Sequence, residues 1–262
     1  MRCLPILAGI AVLLLVTIGV VLVPNPLGAA IAGRLYETTL DSTLTYRVQV
    51  WSDAPLTDLD LILPLPAGPE GEALVDALAR GDFEQRPEGW QLTILEGGRL
   101  SMLEIRADRF GEGLATVATP PGIARTARYI GSPGPWQEDL IIRVRPGRLI
   151  ATDAPEGREP LLQPHYNVTA SGCGCGCTAT GGRSERFVYD STIFTGFRST
   201  RDANLAVWVQ VRGMNRWWAY HWSSNYYTDS VRLIVPGASD GWHPALGTQT
   251  QKNGRYGAPT GF

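Results

Sequence analysis

Cys173, Cys175 and Cys177, inside Ser171–Thr178, form the densest cluster of metal-ligating or redox-active side chains in the chain. Thiolates suit soft ions such as Cu(I) or Zn(II). Zinc sites, however, usually space their cysteines by about two to four residues, and here one glycine separates each pair. Three cysteines leave one unpaired, and a disulfide closed over a single residue is strained. Glycine at alternate positions fits an exposed loop, which is the favoured reading; soft-metal binding is the alternative. The histidines are His165, His221 and His243, and no H-E-x-x-H, G-x-S-x-G or phosphate-cradling glycine motif accompanies them. No catalytic residue and no cofactor is therefore assigned. A site assembled from distant positions leaves no local motif, so a carbohydrate-active enzyme or other hydrolase stands as an alternative. Glu104, Asp108, Asp190, Asp202 and Asp229 fall on or beside strand patterns and are expected on solvated faces, with His221 packed.

Aromatic residues are the other informative group. Five of the eight tryptophans (Trp208, Trp217, Trp218, Trp222 and Trp242) lie between Val207 and Trp242, with Tyr220, Tyr226 and Tyr227. Gly213-Met214-Asn215 reads as a hairpin loop. A three-residue loop sets Arg212 opposite Arg216, with Trp208, Trp218, Tyr220 and Trp222 on one face and Val207, Val209, Val211 and Ala219 on the other. The aromatic face is either buried against a second sheet or exposed as a platform for a sugar ring or a partner's side chain. In the second case Trp217, Trp218, Trp222, Trp242 and Tyr220 supply flat contact area, and Asn215, Asn225 and Asp229 supply directional hydrogen bonds. Asn167-Val168-Thr169 matches a glycosylation sequon and marks Asn167 as a surface-loop position.

The elements that hold these residues follow from periodicity. Leu44, Tyr46, Val48 and Val50 alternate with polar residues, as do Leu59, Leu61, Leu63 and Leu65, and both sets predict half-buried strands. Glu72–Arg80, followed by Gly81, predicts a short helix. Trp90–Ile94 and Leu103–Ala107 flank Glu96-Gly97-Gly98-Arg99 as a hairpin. Further strands are expected at Leu140–Val144, Glu185–Phe197, Asn204–Arg212, Arg216–Trp222 and Ser230–Val235. Gly111–Pro135 reads as loop, and the residues after Pro236 show no long apolar run. Many short strands and one minor helix predict an all-β fold, an antiparallel β-sandwich formed as one sandwich or as two packed subdomains. The divisions are 1–34 as a leader, 35–152 as an N-terminal β subdomain, 153–184 as a linker with the Cys-Gly loop, and 185–262 as a C-terminal aromatic-rich subdomain.

The leader sets the compartment. Leu4–Val23 is an uncharged run of twenty residues, and a helix of that length rises about 30 Å, enough to cross a hydrocarbon core. With Arg2 as the only side-chain charge before it, the N-terminus is expected in the cytoplasm and the rest outside, as a single-pass cell-membrane protein. The alternative is a cleaved signal peptide, since Ala30-Ile31-Ala32 offers a cleavage site that would release a secreted product. A net charge of −2, from 23 basic and 25 acidic residues, supplies no field for nucleic acid. Of the basic residues 22 are Arg and only Lys252 is Lys, which with 30 Gly and 19 Pro matches GC-rich coding more than selected chemistry.

Asn215-x-Trp217-Trp218, His221-Trp222-Ser223, Asn225-x-Tyr227-x-Asp229, Gly241-Trp242 and Gly254-x-Tyr256, with Glu159-Pro160-Leu161-Leu162-x-Pro164-x-Tyr166-Asn167, form a recognisable pattern. It resembles an uncharacterised family of exported, membrane-anchored proteins of archaea and some bacteria. The resemblance covers mainly residues 159–256, implies a β-rich ectodomain and carries no activity. The Cys-Gly tract is not part of it. The function expected is a non-catalytic cell-surface module, structural or binding a glycan or surface-protein partner through its aromatic face. Carbonate extraction should leave the full chain in the membrane with Met1 or its processed neighbour as N-terminus. A soluble product beginning at Gly33 would make the run a signal peptide.

Overall fold

The computed structural model describes residues 26–97, 100–111, 136–147, 149–150, 152, 160–170, 184–199, 202–219 and 221–252. Among the described residues two helices, α1 (Pro26–Thr39) and α2 (Gly68–Arg80), accompany twelve strands. These are β1 (Asp41–Ser52), β2 (Leu56–Pro66), β3 (Phe83–Gln85), β4 (Gln91–Gly97), β5 (Leu100–Phe110), β6 (Trp136–Val144), β7 (Leu162–Gln163), β8 (Tyr166–Ala170), β9 (Ser184–Arg198), β10 (Asn204–Ala219), β11 (His221–Pro236) and β12 (Ser239–Lys252). All pairings are antiparallel. The hydrogen-bonded order is β3-β6-β1-β10-β11-β12-β9-β2-β5-β4, with β7 on β2 and β8 on β9.

This is one curled sheet, all-β as the alternation predicts. β1 and β2 follow each other in the chain after three connecting residues, yet four strands (β10, β11, β12 and β9) separate them in the sheet. The sheet must therefore bend until β1 and β2 approach. Tyr46 on β1 donates its hydroxyl to the Pro64 carbonyl on β2 at 2.9 Å, across the enclosed core. The Leu44/Tyr46/Val48/Val50 and Leu59/Leu61/Leu63/Leu65 faces line that core, each residue at most 2% exposed. Segments 35–152 and 185–262 interleave: β1 lies between β6 and β10, and β2 between β5 and β9. Their buried residues join one hydrophobic cluster.

α2 begins at Gly68, four residues before the predicted start, and buries Leu74, Ala77 and Leu78. It stops at Gly81, whose φ of 78° closes the last turn. The β4–β5 hairpin has the expected faces, with Leu92 opposite Ile105 and Ile94 opposite Leu103. Residues 1–25, 112–135 and the tract holding Cys173, Cys175 and Cys177 lie outside the described residues. Among the described residues no helix is long and apolar enough to cross a membrane.

The hairpin expected at Gly213–Asn215 requires correction. β10 runs unbroken to Ala219, and Ala219 pairs with His221, so the reversal is centred six residues beyond Met214. Both centres are even-numbered, so the division of faces survives: Trp208, Trp218 and Trp222 share the outer face, and Val207, Val209 and Val211 the inner one. The reason lies in packing. A Cβ at Gly213 would overlap the Tyr227 ring, and one at Gly247 would overlap the Tyr189 ring. Each glycine is a flat place on the inner wall over which a tyrosine lies, rather than a turn. β12 also went unpredicted, because its inward residues include Gly247, Gln249 and Gln251, which give no apolar signal. We expect Gly247→Ala to destabilise the fold by about 1–3 kcal/mol through overpacking, read as a lower denaturation midpoint at unchanged m-value.

Candidate functional site

The inner wall of the curl changes character along its length. Val48, Val209 and Val231 form an apolar row across β1, β10 and β11. Nearer the β10–β11 turn come Asp229 and Gln249, then Tyr227 and Gln251, then Asn215 and Asn225, all at most 3% exposed. The inward parity of the strands puts them there, and burial requires each to find a partner.

Asp229 is central. Its Oδ2 accepts the backbone N–H groups of Leu161 at 2.7 Å and Leu162 at 2.8 Å, and its Oδ1 accepts the Tyr189 hydroxyl at 2.5 Å. Asn215 works similarly on another loop. Its Oδ1 accepts the Ile150 N–H at 3.0 Å, while its Nδ2 donates to the Ile150 carbonyl at 2.8 Å and to Asn225 Oδ1 at 2.9 Å. Ser42 donates to Asn215 Oδ1 at 2.8 Å. Tyr227 donates to Glu70 in the first turn of α2 at 2.8 Å, tying helix to wall. These side chains hold backbone groups in place. The expected solvated positions of Asp229 and Glu104 are thus corrected: Asp229 is fully buried, and Glu104 is 9% exposed and paired with Arg106 at 2.7 Å.

Burial pushes the Asp229 carboxyl up to about 6, against the lowering effect of its hydrogen bonds and of nearby His165. Burial, then the charge of Asp229, pushes Tyr189 far up; burial, then Glu70, does the same to Tyr227. Neither phenol ionises near neutrality, so both serve as fixed donors. His165 Nδ1 lies 3.2 Å from the Leu162 carbonyl and its ring meets Tyr189 edge-on.

The eight residues of the proposed aromatic site are not gathered in one place. Trp217 points inward, is 2% exposed, and meets Tyr36 of α1 edge-on at 5.8 Å. Asn215, Asn225 and Asp229 are buried behind the sheet and offer no hydrogen bonds to an outer ligand. Trp218 is half-buried on the outer face, opposite Trp222, which is 56% exposed beneath the Arg216 guanidinium at 4.2 Å. Trp242 is 53% exposed, opposite and edge-on to Phe194 at 5.7 Å. It stands ten residues along β12 from Lys252, the partner of Tyr226, so roughly 30 Å of strand separates it from the level of Tyr226, and the turn lies further still along β11. Tyr220 and the His221 side chain lie outside the described residues.

A second outer group was missed. Trp51 stacks on Trp208 with centroids 6.5 Å apart and planes at 15°. Trp208, Arg232 and Leu246 follow in one cross-strand row, with Ile234 in the next row on β11 and Trp242 four residues along β12 from Leu246. Ile234 is 48% exposed and Leu246 56%. Even-position parity along β10, β11 and β12 was the available signal, but it required knowing that β12 is a strand.

Among the described residues no group of three or more His, Cys, Asp or Glu could hold a metal. Asn167 is exposed and donates to Asp190 at 2.8 Å. Ser239 Oγ meets His243 Nε2 at 2.6 Å and accepts from Thr195 at 3.1 Å. Comparison with protein-family models, curated proteins and solved structures finds no match.

Asp229 yields a signed prediction. Its folded value lies above the unfolded value of 3.8, so the folded state holds the extra proton between about pH 4 and 6. Its contribution to stability is greatest below pH 4 and is lost as pH rises through 6. Asp229→Asn should gain on the wild type across that window by on the order of 2–3 kcal/mol. Asp229→Ala, leaving three donors unsatisfied, should cost about 2–4 kcal/mol at neutral pH. Urea titrations at pH 4 and 7 measure both.

Proposed function

We propose that this chain is a non-catalytic module held on the outer side of a cell membrane by its N-terminal apolar segment, binding a surface protein through the outer patch around Trp242. The ectodomain is read as sandwich-like, with two halves of one curled sheet facing each other across the core. The resemblance to exported, membrane-anchored proteins supports the compartment. The orientation places the N-terminus in the cytoplasm.

The observation that carries the binding reading is the set of exposed apolar side chains on β11 and β12, 48–56% exposed: Ile234 and Leu246, in rows next to the stacked Trp51–Trp208 pair, and Trp242 further along β12. Such a group costs solubility when left bare, and soluble domains seldom carry one outside an interaction site. Trp242 braced by Phe194 is a flat anchor with little rotamer entropy to lose, and Arg232, in the row of Trp208 and Leu246, completes the aromatic-plus-arginine composition of interface centres. Aliphatic Ile234 and Leu246 favour a protein partner over a sugar. The non-catalytic reading is supported by the engagement of Asp229, Asn215, Tyr189 and Tyr227 in holding backbone and helix in place.

A photo-crosslinking residue at position 242, in the full chain in its native membrane, should give an adduct of defined mass that the same residue at the exposed Asp58 does not. Leu246→Asp should reduce that adduct several-fold. Equal labelling from the two positions would overturn the reading, and selective retention on a polysaccharide gel, lost in Trp242→Ala, would replace the protein partner with a glycan.

A further inference from the structure

The β10–β11 hairpin reaches further than its neighbour. β1 starts at Asp41, opposite Arg216, so Trp217–Ala219 and His221–Ser223 project past the first residue of β1. α1 occupies the space beside the projection and feeds straight into β1. Tyr36 packs edge-on against Trp217, and Thr39 Oγ1 accepts the Trp218 N–H at 2.8 Å. The hairpin tip therefore lies at the end of the sheet from which the chain enters.

The sequence leading into α1 says what lies beyond that end. From Leu4 to Gly33 no side chain is charged; Arg34 is the first, and Tyr36 follows two residues later. Two helical residues rise about 3 Å. On the anchored reading Leu4–Val23 fills the hydrocarbon, so the uncharged first turns of α1, up to Gly33, fall at the membrane surface, and Tyr36 with the tip it grips follows within one turn. The tip has the composition of that surface. Trp222 is 56% exposed with Arg216 stacked on it at 4.2 Å, half-buried Trp218 faces it across the hairpin, and Arg212 covers Tyr226 at 4.8 Å. Tryptophan and tyrosine collect at membrane interfaces because one part of the ring system is apolar and the other donates to water or phosphate, and arginine meets the phosphates.

We infer that the β10–β11 tip is a membrane-seated foot: Trp218 and Trp222, with Arg216 and Arg212, sit among the phospholipid headgroups beside the anchor. The foot fixes the ectodomain's tilt and holds the Trp242 patch away from the bilayer. The inference rests on the anchored reading, and its ligand is the bilayer surface itself.

The test uses the full chain reconstituted into phosphatidylcholine–phosphatidylglycerol vesicles carrying brominated acyl chains, with flotation run in parallel. Bromolipid should quench wild-type tryptophan emission, and Trp218→Phe/Trp222→Phe should remove about half or more of that quenching while Trp242→Phe leaves it unchanged. Arg216→Glu, which keeps every tryptophan, should weaken the quenching at least twofold in these vesicles. Circular dichroism of each variant checks that the β signature persists. Vesicle-bound chain whose quenching is the same in the double variant and the wild type would overturn the foot while leaving the anchor standing. Chain that fails to float with the vesicles would overturn the anchor and the foot together.

Discussion

A buried carboxylate with backbone donors for partners holds this fold together. Asp229 stands on the inner wall of the curl, where leaving a charge without donors costs several kcal/mol, and two of its three donors are the N–H groups of Leu161 and Leu162. Leu162 starts β7, a two-residue strand held on β2 by only two paired positions. The carboxylate thus adds to it what a longer strand ladder would have provided. Asn215 does the same for Ile150, matching both its N–H and its carbonyl. Satisfying the side chain and satisfying the loop are the same event, so neither is stable alone.

The polar end of the inner wall and the aromatic outer face follow from this arrangement. Strand parity sends every second residue of β10 and β11 inward, and those inward positions are spent on Asn215, Asn225, Tyr227 and Asp229. Tyr227 and Tyr189 need space over the wall, which Gly213 and Gly247 provide. The residues left outside are Trp218, Trp222 and Tyr226, with Arg216 over the Trp222 ring and Arg212 over that of Tyr226. The aromatic-rich segment is therefore two structures in one: an inward clamp that shapes the domain, and an outward aromatic surface.

Much of the fold was legible before the structure. Leu44–Val50 and Leu59–Leu65 announce their strands because each buries one clean apolar face, and α2 announces itself by its apolar spacing and terminal glycine. The Asn215, Asn225 and Asp229 cluster was legible as special and misread as to role. Polar residues of that kind beside tryptophans look alike whether they await a ligand or a loop backbone, and the choice between inside and outside depends on parity relative to a turn. That turn was sought at Gly213 and Asn215, both of which are turn-forming types used here for close approach and for bridging.

What the sequence determined by itself is local: period-two alternation, helix spacing, the uncharged N-terminal run and the concentration of aromatic residues. These depend on neighbours a few positions apart, and no later folding event alters them. What only the tertiary structure decided is which side of the wall each polar residue faces and whom it meets. Asp229 meets Leu161 across 68 residues of chain and Tyr189 across 40, and Tyr227 meets Glu70 across 157. Such pairings exist because one sheet curls until β1 and β2, adjacent in sequence, face each other with four strands between them. Curl and register are set by the combined packing of all the strands, and no short window of residues contains that information.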